Sequence, residues 1–246
     1  MKIDLKYRSI LYSNYFTNQA GRSFTENQEI KFNEEKYQFK KEIICLLPLD
    51  KSISILDIGC GIGSLLSAIK DNGYSKVKGI DVSKEQVSTA HSLGVKEVEC
   101  IDIEDFFLNN SQTYDVICGM DIIEHFTKDE LVDLLIMLKS KLNPNGKVLF
   151  RTPNADAPFA SIYAQGDFTH ENVLNSNSAK QLMMATGYQN IHVLPCFIST
   201  KGFIKNIIRK ILWSLFCFRY KLLLFASGRS SKEVIFTPNM VMIGSL

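Results

Sequence analysis

Between residues 49 and 153 the chain alternates between two rhythms: short, largely apolar runs, and stretches with apolar residues three and four apart. Ile53 to Ile58 is a β-branched run that predicts a buried strand. Ser64 to Lys70 places Leu65, Leu66 and Ile69 on one face and predicts a helix ending at Gly73. Val77 to Ile80 predicts a second strand, Val95 to Ile101 a third, Tyr114 to Cys118 a fourth and Lys147 to Phe150 a fifth. Capping-box patterns at Ser83-Lys84-Glu85-Gln86 and Thr127-Lys128-Asp129-Glu130 open helices running to about Gly94 and Leu142. Asn143-Pro144-Asn145-Gly146 reads as a turn. This order predicts a parallel sheet covered on both faces, with ligands bound beyond the carboxyl ends of its strands.

The flanks are less regular. Residues 1–30 show no sustained period, and a helix over residues 33–47 precedes Pro48. After Pro153 a loop runs to Asn175, and Ser178-Ala179-Lys180-Gln181 caps a helix ending at Gly187. Ile191 to Phe197 reads as a sixth strand and Glu233 to Ile243 as a last one, with Pro238 implying an edge or a bulge. Between them, Phe203, Ile204, Ile207, Ile208, Ile211, Leu212 and Leu215 repeat at helical spacing, with Lys205, Arg209 and Lys210 opposite and Trp213 near the polar face. This basic amphipathic segment, 202–225, is expected to touch a membrane surface, or to pack on the domain or a second copy of the chain. Its most apolar part, Ile211 to Phe218, is too short to span a bilayer.

The strand ends carry the candidate chemistry. The first closes on Asp57-Ile58-Gly59-Cys60-Gly61-Ile62-Gly63, whose glycines let backbone approach a ligand. A dinucleotide fingerprint would have glycine at position 64, where the chain has Ser64. Asp57 would repel a pyrophosphate but suits a ligand with an ammonium group, such as the methionine part of S-adenosylmethionine. The second strand ends at Asp81, a carboxylate that can take both ribose hydroxyls. The third ends at Asp102-Ile103, where the acid can accept from an adenine amino group and the isoleucine can pack on the ring. Each acid alone is as easily a helix N-cap; three at successive strand ends, beside a glycine loop, argue for a nucleoside.

Composition adds limits. The net charge of +2 gives no case for a nucleic-acid partner. Six cysteines without a C-x-x-C pair read as reduced, buried thiols of a cytosolic protein. The N-terminus lacks the apolar core of a signal peptide.

Over residues 53–151 these motifs resemble the class I S-adenosylmethionine-dependent methyltransferases. Tyr114 to His125 resembles that family's fourth-strand motif in its Glu-His version, common among O-methyltransferases of small molecules and glycans. The resemblance implies a Rossmann-like, doubly wound α/β sheet of seven strands, mostly parallel with an antiparallel last strand. It implies one domain over 1–246, with an N-terminal lid and helix (1–48), a cofactor-binding core (49–153) and an acceptor region (154–246). It places S-adenosylmethionine, leaving as S-adenosylhomocysteine, against Asp57, Gly59, Cys60, Gly61, Asp81, Val82, Asp102, Ile103 and Met120.

The acceptor is read from the irregular segments. Gly166-Asp167-Phe168-Thr169-His170-Glu171 resembles a D-x-T-H segment of methyltransferases associated with bacterial polysaccharide biosynthesis. His170 or His125 is expected to act as base, with Asp167, Asp121 and Tyr15 binding or orienting the acceptor. Tyr12, Tyr15, Phe16 and Gln19 resemble a lid element of the same enzymes. His91, mid-helix, and His192, mid-strand, read as structural or exposed. Asp121, Glu124, His125, Asp167, His170 and Glu171 could gather round a divalent ion, but no tight ligand spacing supports one and no metal is expected.

The resulting expectation is a cytoplasmic O-methyltransferase, peripheral at most to the inner membrane face, acting on a glycan precursor. The methylated group would be a sugar hydroxyl or a phosphate or phosphoramidate modification. The alternatives are a quinol or other small aromatic hydroxyl as acceptor, a non-catalytic nucleoside-binding module, and an NAD-dependent oxidoreductase.

Overall fold

The computed structural model describes residues 6–12 and 28–246. Helix α1 (Lys6–Tyr12) is followed by α2 (Gln28–Glu42) and a short 3-10 turn at Ile44–Leu46. The alternating core then runs β1 (Ser54–Ile58), α3 (Ser64–Asp71), β2 (Lys76–Asp81), α4 (Lys84–Ser92), β3 (Val98–Cys100), α5 (Ile103–Asn109), β4 (Tyr114–Met120), a 3-10 turn at Ile123–His125, α6 (Lys128–Ser140) and β5 (Leu142–Pro153). It ends with α7 (Ala160–Ala164), α8 (Ser176–Ala185), β6 (Gln189–Pro195), α9 (Phe203–Ala226) and β7 (Asn239–Ser245). One seven-stranded sheet has the order β3-β2-β1-β4-β5-β7-β6, and only the pairings that involve β7 are antiparallel. This is the expected doubly wound sheet with an antiparallel last strand.

Both faces of the sheet are buried because alternate residues on each central strand meet helices. Ile55, Val116, Cys118, Leu149 and Val241 face Phe39, Ile43, Leu65 and Ile69 of the α2–α3 side. Leu56, Ile58, Ile117, Val148, Phe150, Met240 and Met242 face Leu131, Leu134, Leu135 and Leu138 of α6 and Met183 of α8. The Thr127 capping box forms as the sequence predicts, with Glu130 closing it.

Several boundaries differ from the sequence reading. The helix expected over 33–47 starts five residues earlier and stops at Glu42. The third strand is only Val98–Cys100; Val95 instead packs beneath Gly63, where a Cβ would lie 2.8 Å from its Cγ1. The turn at Asn143–Gly146 sits inside β5 as a register shift between the Tyr114↔Leu142 and Val116↔Lys147 pairs. α8 is capped by Asn175 rather than Ser178, whose hydroxyl closes the box from the third position. Pro238 precedes β7 instead of interrupting it, so β7 lies inside the sheet and β6 is the edge. Cys45 and Cys100 are exposed, because each lies at the end of an element where the apolar run meets solvent; all six thiols are free.

Leu149 is fully buried at the centre of β5. Leu149→Ala should lower the unfolding free energy by about 2–5 kcal/mol, read from the urea midpoint. A loss of under half a kcal/mol would contradict this account of the core.

A carboxylate-lined cleft at the strand ends

β1 ends at Asp57, and the chain turns into α3 through three glycines with positive φ: +61° at Gly59, +55° at Gly61 and +78° at Gly63. A Cβ at Gly59 would lie 2.2 Å from Ile122 Cδ1, so the backbone is drawn closer to the β4 loop than any other residue permits. The turn opens on a cavity of about 1110 Å³, above the 300–1,000 Å³ usual for small-molecule sites. All nine residues assigned from the sequence to the cofactor line this space: Asp57, Gly59, Cys60, Gly61, Asp81, Val82, Asp102, Ile103 and Met120.

The carboxylates are placed differently. Asp81 accepts from the Gly61 and Ser83 amides, both at 2.8 Å, which fixes the acid to the glycine loop. Burial pushes it up, against the lowering by these amides. Asp57 is 2% exposed, and its Oδ1 has no hydrogen-bond partner. Burial, with the Asp81 charge adding, pushes Asp57 well above the carboxylate range. An unpartnered buried carboxylate is costly, and a cationic group in the cavity would relieve that cost. Asp102 is the N-cap of α5, accepting from the Glu104 amide at 2.9 Å, and also lines the cavity. The capping and ligand readings hold together there.

Other wall residues were missed by the sequence reading. On α2, Lys31, Glu35 and Phe39 line the cavity, and Ser64 Oγ donates to Glu35 at 2.8 Å. Burial raises the Glu35 pKa. Their four-residue spacing puts them on one helix face, a signal carried by polar as well as apolar positions. Arg151 on β5 donates through Nε to Asp121 at 3.0 Å and through Nη1 to Glu42 at 3.2 Å, and lies 4.7 Å over the Phe39 ring. Asp121, expected to meet the acceptor, does line the cavity but is clamped by Arg151, which holds it at φ +52°. The signal for Arg151 was a charge inside an otherwise apolar strand.

At the far end, the 167–172 segment folds over the turn after β4. Glu124 O accepts from the Glu171 amide at 2.8 Å, and Asn172 Nδ2 donates to Ile123 O and Phe126 O. Thr169 Oγ1 lies 2.7 Å from Asp167 Oδ1 and 2.9 Å from His125 Nδ1. A carboxylate only accepts, so the threonine hydroxyl donates to Asp167 and accepts from His125. This puts the proton of neutral His125 on Nδ1 and makes Nε2 its basic nitrogen. Burial, with His170 adding, lowers the His125 pKa. His125 lines the cavity; His170 and Asp167 are not among the lining residues. His170 instead packs edge-on 4.8 Å from the His125 ring and donates from Nδ1 to Ala164 O at 2.9 Å.

Glu124, His125 and His170 bring ligand atoms within 4.8 Å of one another and could hold a metal ion. Burial, with Asp121 adding, pushes Glu124 well above the carboxylate range. From α1, Arg8 pairs with both oxygens of Glu130 and donates to His125 O at 2.9 Å. That partnership holds Glu130 at about 2. Tyr7 bonds Glu171. Tyr15, Phe16 and Gln19 lie outside the described residues, as does the side chain of Tyr12. His91 bonds Val98 O at 2.9 Å and His192 is exposed on β6; neither enters the cavity.

Residues 31–193 match the family model described as a methyltransferase domain. A mitochondrial ubiquinone biosynthesis O-methyltransferase of Dictyostelium discoideum is 29% identical over 122 residues, which are 44% of this chain and 37% of that protein. The chain thus matches less than half the length of this relative. Among solved structures, a SAM-dependent methyltransferase from Archaeoglobus fulgidus superimposes with a TM-score of 0.65 at 16% identity, covering 97% of this chain and 99% of that one. A phosphoethanolamine N-methyltransferase of Haemonchus contortus, in complex with S-adenosyl-L-methionine, gives 0.54 at 16% identity over 87% of this chain and 52% of that one. The two structures share the fold.

Asp57→Asn keeps the shape of the side chain and removes its charge. Calorimetry should show S-adenosylhomocysteine bound roughly ten- to a hundredfold more weakly, the loss expected for one charged hydrogen bond. The melting temperature should hold or rise, since a buried unpaired acid is removed. Unchanged affinity would show that Asp57 does not meet the ligand's ammonium group.

Proposed function

We propose that this chain, which belongs to the methyltransferase-domain family, is an S-adenosylmethionine-dependent methyltransferase that transfers the methyl group to a hydroxyl oxygen beside His125. The carrying observation is the Asp167–Thr169–His125 chain, which holds the Nδ1–H of an imidazole on Thr169 at the cavity wall.

The residues present fit the cofactor. The unpartnered Asp57 oxygen suits the ammonium of the methionine moiety, and the Gly59–Gly61 backbone lies where a Cβ would collide with its neighbours. Asp81, already oriented by two amides, would take the ribose hydroxyls, and Asp102 with Ile103 the base. S-adenosylmethionine supplies an electrophilic methyl group. The protein's own part is to align the acceptor and remove its proton. His125 Nε2 takes the hydroxyl proton, and the imidazolium that forms keeps its Nδ1–H on Thr169. Asp167, one hydroxyl further, stabilises that charge without touching the acceptor. His170 is a support for His125 and not the base, because it packs edge-on against the His125 ring and lies outside the cavity wall.

Two acceptor classes fit. A polar acceptor, as in a glycan precursor with a sugar hydroxyl or a phosphate or phosphoramidate group, is favoured by Arg8, Lys31, Asp133 and the clamped Asp121 in the wall. A phenolic acceptor is favoured by Phe126, Leu134 and Met137 in the same wall and by the ubiquinone O-methyltransferase relative. We favour the polar class, since the Arg8–Glu130 pair stands beside His125. A panel of nucleotide-activated sugars and catechols, scored by S-adenosylhomocysteine release, separates the two. Turnover of catechols alone would replace the polar reading by the phenolic one.

His125→Ala should lower kcat by about 10²–10⁴-fold while S-adenosylhomocysteine affinity stays unchanged, and His170→Ala should cost less. In the wild type, kcat/KM should rise with pH as His125 loses its proton. That midpoint should lie below the roughly 6.5 of a free imidazole, because burial favours the neutral ring. The rising limb should vanish in His125→Ala. A chelator should leave the rate unchanged; loss restored by a divalent ion would make Glu124, His125 and His170 a metal site and remove the base role.

A further inference from the structure

Helix α9 is 24 residues long, about 36 Å at 1.5 Å per residue. None of its residues is buried. Its half-buried positions are Asn206, Arg209, Trp213, Phe216, Cys217, Tyr220 and Leu224, which repeat at helical spacing on one face. That face is turned to the body of the protein, where the Tyr220 ring lies 6.0 Å from Phe236. The opposite face carries Ile204, Ile207, Ile211, Leu215, Phe218 and Leu222, each at least 43% exposed. The amphipathic pattern therefore points the wrong way for packing on the domain, as the sequence allowed: the apolar strip looks outward. Soluble monomers rarely leave a continuous apolar strip of this length in water.

Charge tells what covers it. The helix has five basic residues, Lys205, Arg209, Lys210, Arg219 and Lys221, and no acidic one. At 100° per residue, Lys210 and Lys221 fall along one border of the strip, and Lys205 and Arg219 along the other. Long basic side chains at both borders can lay their stems on the acyl region and their charges among phosphates. A second copy pairing through a two-fold axis would bring the same positive borders together. Among the described residues no helix is long and apolar enough to cross a membrane, so the fitting orientation lies in the interface plane.

We propose that α9 is a membrane-docking helix that lays its Ile204–Leu222 strip into the surface of an anionic phospholipid bilayer. The docking is independent of the acceptor chosen by the active site. It would bring the enzyme to acceptors held at such a surface.

The test is co-flotation of the full chain with vesicles of phosphatidylcholine, with and without phosphatidylglycerol. Binding should require phosphatidylglycerol and weaken as salt rises. The double variant Ile211→Glu, Phe218→Glu should abolish flotation with melting temperature and S-adenosylhomocysteine affinity unchanged, because both side chains are exposed. Lys210→Gln with Lys221→Gln should weaken binding by roughly thirtyfold, from about 1 kcal/mol for each basic residue at an anionic surface. Failure to float with either vesicle would overturn the proposal. So would sedimentation showing a dimer that the Ile211, Phe218 variant converts to monomer, since a second copy would then cover the strip.

Discussion

A carboxylate without a partner organises the cleft. Asp57 stands near the end of β1, buried at the cavity wall with its Oδ1 unpartnered, and Asp81 stands close enough to add to the cost of its charge. Around it the glycine turn makes a backbone wall in place of side chains, and Asp81 ties that turn to the end of β2 through the Gly61 amide. The result is a pocket in which a ligand that brings its own positive charge would favour the ionised form of Asp57.

The second charge cluster answers a different need. Arg151 carries a full positive charge inside a central strand, and Glu42 and Asp121 surround it from α2 and from the loop after β4. These three side chains join the helix before the sheet to the loop that bears His125. The acceptor side is then closed by main-chain contacts from the 167–172 segment onto Glu124. His125 is held by hydrogen bonds to a loop, and the wall of Asp57, Asp81 and Asp102 by strand ends and turns, so the two halves of the cavity differ in how firmly the fold dictates them.

That difference explains what could be read from the sequence. The strand-end acids Asp57, Asp81 and Asp102 were legible because periodicity locates strand ends and the fold places ligands there. The positions of all nine cofactor-side residues in one cavity wall follow from that single rule. The partnership of Thr169 with His125 spans 44 positions and depends on a loop with no period, so spacing could choose neither between the histidines nor find the threonine. Glu42 and Arg151 are 109 positions apart, and an ion pair at that distance leaves no local trace. The outward aspect of α9 was equally hidden: amphipathicity shows that a helix has two faces, and only its contact at Phe236 shows which is turned inward.

The insertion of β7 between β5 and β6 ties the order of synthesis to the completion of the sheet. Until residues 239–245 have been made, β5 presents an open edge and β6 has no neighbour to join it to the rest. The acceptor loop leaves from the end of β5 beside that gap, where Asn154 is later bonded to Ile235 O and Thr237 O. In a chain still short of that strand, β3, β2, β1, β4 and β5 have their neighbours, while the free edge of β5 and the segment that follows it lack theirs.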